Sequence, residues 1–141
     1  MEVPVNYLAV VACAIAAMVV GYVWYGPLFG KMWAHLSGVS MERMQKGGAT
    51  SYAIMAVGAL VMAYVLTHSL AFASAYLQIS GYTAGLQAGF WNWLGFVVPV
   101  TLGVVLWEGK PWKLWAINAG YYLVVLCVMG VILALWPARV Y

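Results

Sequence analysis

Four stretches of this chain, at about 5–25, 49–73, 84–107 and 112–136, are apolar and carry no Asp, Glu, Lys or Arg near their middles. A helix needs about 20 such residues to cross a hydrocarbon core, and each stretch is long enough. Backbone groups inside lipid must pair within the protein, which leaves helices or closed barrels. A barrel strand alternates apolar and polar residues, whereas these runs are continuously apolar. The expected fold is all-α: a polytopic membrane protein, one integral domain over 1–141, with four transmembrane helices in a bundle. Composition agrees, because 67% of the 141 residues are hydrophobic and only 6% are charged, far too few charges to coat a soluble globule.

The same scarcity of charge excludes other classes. The net charge of +3 rests on six basic residues that form no clustered stripe, so a nucleic-acid partner is not expected. Cys13 and Cys127 lie inside apolar runs without CxxC spacing or a neighbouring His, which argues against a metal site or a disulfide framework. The amino terminus lacks a basic n-region, with Glu2 acidic and no Lys or Arg before Lys31, so the first run reads as a span and not as a signal peptide. No nucleophile–base pair emerges, and the expectation is a non-enzymatic protein with no catalytic residues and no cofactor. Proton-coupled exporters of four-helix size need a carboxylate within the membrane, which these spans lack.

Orientation follows from the loops. The first holds Lys31, Arg43 and Lys46 and the third holds Lys110 and Lys113, against Arg139 alone on the other side. The basic loops are expected in the cytoplasm, with both termini outside it, in an inner (plasma) membrane. Trp24, Tyr25, Trp33, Trp107, Trp112 and Trp115 gather at that basic side as expected interface anchors, with Tyr7, Tyr76, Tyr82, Trp136 and Tyr141 opposite. After Pro27, the spacing of Leu28, Phe29, Met32, Trp33 and Leu36 predicts a short helix lying along the interface, with Lys31 and His35 on other faces. Glu108, next to Lys110 and Lys113, reads as a surface ion pair.

Small residues recur at helical spacing: Ala9, Cys13, Ala17 and Gly21 in the first run, Gly85 and Gly89 in the third, Gly130 and Ala134 in the fourth. Such stripes let helix backbones approach closely. They serve packing inside one bundle or a contact with a second copy or another membrane protein. Trp24-Tyr-Gly-Pro27 leading to Lys31-Met-Trp33 is echoed by Trp107-Glu-Gly109 leading through Pro111 to Lys113-Leu-Trp115, which suggests two related hairpins. Pro99 is expected to kink the third span. Among uncharged polar residues, His68, Asn92, Gln87 and Asn6 are expected at a similar depth in the outer leaflet and are the candidates for holding a headgroup, quinone or pigment; Asn118 reads as a bond to a neighbouring helix.

The opening Asn6-Tyr-Leu-Ala-Val, the stretch from Trp24 through Gly-Pro-Leu-Phe-Gly to Lys31 and Trp33, and Trp107-Glu-Gly-Lys-Pro-Trp-Lys-Leu-Trp115 with Ile117-Asn-Ala-Gly-Tyr-Tyr122 resemble the bacterial small membrane proteins grouped as domain of unknown function 1761. The resemblance covers nearly the whole chain. It implies four helices and carries no catalytic residues over. Two roles are expected from the residues: a self-associating scaffold or accessory subunit in the lipid bilayer, or a carrier of a hydrophobic ligand.

Overall fold

The computed structural model describes residues 3–138; Glu2, Arg139 and Tyr141, named above for charge and anchoring, lie outside them. Helix α1 (Tyr7–Val23) runs on into a five-residue π-helical turn (Trp24–Leu28), followed by α2 (Gly30–Ser37) and α3 (Met41–Lys46). Helix α4 (Gly48–Leu77) comes next. Helix α5 (Gly81–Asn92) then leads through a second π-helical turn (Trp93–Val97) into α6 (Val98–Thr101) and α7 (Gly103–Leu106), and α8 (Trp112–Leu135) closes the chain. There is no strand among the described residues. Four stretches, Tyr7–Leu28, Gly48–Leu77, Gly81–Leu106 and Trp112–Leu135, are long and apolar enough to cross a membrane, as a multi-pass protein requires.

Two long-range hydrogen bonds establish which loops share an end. Asn6 Nδ2 donates to the Trp136 carbonyl at 3.1 Å, so both described termini meet at one end. At the other end Lys110 Nζ donates to the Ser37 carbonyl at 3.2 Å, tying the third loop to the last turn of α2. A lysine suits that position, because the carbonyls of a helix C-terminus are unpaired and carry partial negative charge. The expected Glu108 pair is not formed, and among the described residues the ion pair is Lys46 with Glu42, exposed and one helical turn apart at 3.4 Å.

Asn6 is also the N-cap of α1. Its Oδ1 accepts from the amides of Leu8 (3.1 Å) and Ala9 (3.2 Å), satisfying donors that the helix cannot. One side chain thus starts the first span and fastens it to the end of the last. Asn6→Ala is expected to lower stability by about 1–2 kcal/mol, read as a shifted thermal midpoint in mild detergent; an unchanged midpoint would show the cap and the tie to be idle.

Helix α8 is the most enclosed, flanked by α1, α4 and α5. Its crossing with α5 is made of glycines. A methyl group on Gly85 would overlap the Gly130 carbonyl, one on Gly130 would overlap Gly85, and one on Gly89 would lie 2.6 Å from the Leu126 carbonyl. The backbones are therefore in van der Waals contact, which only residues without a side chain permit. On α1, Ala9, Cys13 and Ala17 are buried, with Cys13 Sγ donating to the Met129 carbonyl at 3.6 Å. Gly21 faces the Tyr121 ring, whose hydroxyl donates to the Ala17 carbonyl at 3.2 Å, and Ala134 is half-buried against the core. These stripes are filled by packing within one chain.

Both π-helical turns adjoin a proline. Pro27 lies inside the first, and Pro99 follows the second by two residues. A proline in a helix has no N–H to give, and its ring presses on the carbonyl four residues back; widening the turn by one residue relieves that pressure. The amides of Phe29 and Val98 accordingly reach back five residues, to the Trp24 and Trp93 carbonyls. The third span is interrupted around Pro99 by these turns, and Thr101 Oγ1 donates to the Val97 carbonyl at 2.7 Å, taking up an acceptor near the break. Pro27 accordingly belongs to the first span, and the first-loop helix begins at Gly30. On α2, Trp33, Ala34 and Leu36 are half-buried, while Lys31, Met32 and His35 are exposed.

The echo read in the sequence takes two different conformations. Around Trp24 it forms the π-helical turn and α2; around Trp107 it forms a loop with Gly109 at φ +66°, running into α8. The structural counterpart of Trp24 is Trp93. Each begins a five-residue π-helical turn with glycine third, and each indole donates to an α8 carbonyl.

Candidate functional site

Among the described residues, a terminal cleft and a lateral groove open on the bundle. One, of about 380 Å³, lies at the end holding the termini, between Asn6, Thr67, Ser74, Ser80 and Trp136. The other, of about 540 Å³, is a groove on the side of the bundle between α4, the third span and α8. Its walls are Val61, Met62, Val65 and Leu66 from α4, Phe96, Val97 and Val100 from the third span, and Leu126 from α8. Asn92, Thr101 and Tyr122 are its polar members.

The groove exists because α4 and the second half of the third span part company. From Gly48 to Gly58 all but one residue of α4 is exposed, and Phe96 and Val100 are 74% and 77% exposed. The glycine crossing holds α5 tightly to α8, but beyond Asn92 the π-helical turn and Pro99 redirect the chain. Nothing in the bundle fills the angle that results.

The two concavities differ in what their polar groups have left to offer. At the terminal cleft Asn6 is committed on both sides of its amide, and Thr67 Oγ1 donates to the Ala63 carbonyl at 2.9 Å. In the groove Asn92 Nδ2 donates to Ser69 Oγ at 2.7 Å and to the Ala88 carbonyl at 2.8 Å. A carbonyl can only accept, so the amide nitrogen must face Ala88 and Oδ1 must face away. Asn92 Oδ1 has no partner among the described residues, and no buried side-chain nitrogen or oxygen among them is unsatisfied, so this oxygen is reachable from outside. Tyr122 likewise has a hydroxyl without a protein partner among the described residues.

The other candidates do not join Asn92. His68 Nδ1 lies 3.0 Å from the Tyr64 carbonyl on its own helix, with its ring 4.7 Å from that of Tyr64. It lines neither concavity, and neither does half-buried Gln87. Asn6 sits at the terminal cleft. Of the four, the groove takes Asn92 alone. Thr101 and Tyr122 were not singled out as site residues; a hydroxyl inside an apolar span was the signal that could have marked Thr101.

Next to the groove, three consecutive residues of α8 are clasped by aromatic side chains. Trp24 Nε1 donates to the Ile117 carbonyl at 3.0 Å and Trp93 Nε1 to the Ala119 carbonyl at 2.7 Å. Between them Asn118 Oδ1 accepts from Tyr25 Oη and Trp33 Nε1, both at 3.0 Å. Trp115 Nε1 donates to Thr101 Oγ1 at 3.0 Å, linking α8 to α6. Trp24, Tyr25, Trp33 and Trp115 thus aim their polar atoms at neighbouring helices, whereas Trp107 and Trp112 are 88% and 58% exposed. Among the described residues no three His, Cys, Asp or Glu side chains come together.

These features define a small polytopic helical protein whose spans carry no Asp, Glu, Lys or Arg near their middles and whose lateral groove includes Asn92, its amide oxygen without a partner among the described residues. The chain belongs to the family of proteins of unknown function DUF1761, whose model matches residues 8–134. No curated protein and no solved structure matches it significantly.

Proposed function

We propose that this is a non-enzymatic, multi-pass plasma-membrane protein that holds a hydrophobic molecule in the groove between α4, the third span and α8. The observation that carries this reading is the groove itself: an apolar recess of about 540 Å³ facing sideways, where lipid would be, with Asn92 in its wall. Ligand sites are mostly apolar recesses of this size with a few fixed polar groups. Hydrogen bonds between helices occupy Ser69, Asn92, Thr101 and Asn118 of the spans, which supports binding and packing over chemistry. The excess of basic residues in the first and third loops supports a cytoplasmic position for α2 and the Lys110 end, with α2 along the interface as part of this reading.

A second reading, a self-associating scaffold or accessory subunit, is favoured by the exposed stretch of α4 from Gly48 to Gly58, where a second copy or partner helix would find a free face. One experiment tests both. Native mass spectrometry of the gently extracted protein should show a stoichiometric non-protein mass. The variants Val65→Trp and Val100→Trp should lose it without a fall in thermal midpoint, because both positions are more than half exposed. A discrete multiple of the chain mass with nothing bound would favour the scaffold; a bound mass that survives both fillings would place the ligand elsewhere.

A further inference from the structure

The depth of Asn92 and the charge of the groove specify the kind of molecule it would hold. Asn92 is the twelfth residue of the 26-residue span Gly81–Leu106, about 17 Å from one end and about 21 Å from the other at 1.5 Å per residue. With a hydrocarbon core about 30 Å thick, that is close to the bilayer midplane, deeper than the outer-leaflet position expected from the sequence and apart from Asn6 at the end of the bundle. Among the described residues no Asp, Glu, Lys, Arg or His lines the groove. A phosphate or carboxylate head drawn to this depth would be desolvated with no opposite charge to meet it, which is strongly unfavourable. Phospholipid heads stay at the interface and only their acyl chains reach Asn92.

The open atom is an acceptor. Its amide nitrogen is held by Ser69 and Ala88, so the group cannot turn round to offer a donor without breaking both bonds. On the α8 wall, Tyr122 brings a phenol that can donate or accept. We propose that the groove selects a neutral, membrane-dissolved amphiphile whose single hydroxyl donates to Asn92 Oδ1 near the midplane, with its hydrocarbon part along Val61, Val65, Phe96 and Val100. This rests on the groove being a ligand site. It adds that the ligand is uncharged and presents one hydroxyl donor, as long-chain alcohols and diacylglycerols do.

The test uses the whole protein in phosphatidylcholine nanodiscs and a photoreactive oleyl alcohol carrying a diazirine in its chain. Labelling is read by intact mass and peptide mapping, with oleyl alcohol, its methyl ether and oleate as competitors. The expected result is labelling of groove residues, with the alcohol competing about fivefold better than the ether, the effect of one hydrogen bond between neutral groups, and oleate no better than the ether. Asn92→Leu should make alcohol and ether equal. Because Asn92 also bridges α4 and α5, Ser69→Ala serves as the control: it removes the bridge, keeps Oδ1, and should retain the fivefold preference. Equal competition by alcohol and ether on the wild-type protein, with labels still in the groove, overturns the hydroxyl assignment and leaves the ligand site standing. Stronger competition by oleate overturns neutrality. No labelling in the groove overturns the ligand site itself.

Discussion

Gly130→Leu is expected to prevent the bundle from assembling, and even Gly130→Ala is expected to destabilise it measurably. The reason is local. At the α5–α8 crossing the Gly85 and Gly130 backbones touch, so a first carbon added to either meets a carbonyl and not a yielding side chain. Backbone cannot rotate out of the way; one whole helix has to shift, and Gly89 against Leu126 has to shift with it. Ordinary overpacking costs about 1–3 kcal/mol, and a leucine forced between two backbones should exceed about 3 kcal/mol. Size-exclusion profiles in mild detergent and denaturation midpoints in sodium dodecyl sulfate provide the readout. Gly58→Leu is the matched control, since that glycine meets nothing within 4 Å and should tolerate the change. A wild-type midpoint for Gly130→Ala would mean that the crossing is looser than described.

The second large effect is expected from Asn118→Leu. One oxygen accepts from both Tyr25 and Trp33, and its loss leaves two donors in a half-buried, low-dielectric place. We expect a loss of about 2–3 kcal/mol, from the penalty for stranding each donor. The discriminating measurement is a double-mutant cycle. Trp33→Phe alone should be destabilising, but in the Asn118→Leu background its bond is already gone and the further loss should fall below about 0.5 kcal/mol. Full additivity would mean that Trp33 contributes through its ring packing against Tyr25, 5.8 Å away between centroids, and not through the indole N–H.

The four spans were legible because a run of apolar residues is a statement about solvent, and solvent decides whether a helix crosses. The helix in the first loop was legible from its spacing, although its start moved from Pro27 to Gly30. Asn118 was legible as an interhelical bond, since an amide inside lipid needs a partner. The direction in which an aromatic side chain points was not. An indole N–H at a span end is satisfied equally by a headgroup or by an inner carbonyl, and position along the chain carries no radial angle. Trp24 and Trp107 therefore looked alike, yet one donates to Ile117 and the other is exposed. The π-helical turns were hidden for a related reason: each shifts the helical phase by one residue, so side chains beyond it face directions that regular spacing does not give. The groove depends on that shift. Asn92 could be picked out as polar and deep, but Val61, Phe96 and Tyr122 come together only once α4 and the third span diverge.

The spans also differ in length. Tyr7–Leu28 would extend about 33 Å and Trp112–Leu135 about 36 Å, which suits a hydrocarbon core of about 30 Å, whereas α4 would extend about 45 Å. A helix that much longer than its neighbours satisfies the bilayer by leaning or by projecting past its surface. The thickness of the surrounding membrane therefore acts directly on α4, one wall of the groove. A thinner bilayer asks α4 to lean further and a thicker one lets it stand more upright, so lipid chain length becomes a mechanical input to the aperture in front of Asn92.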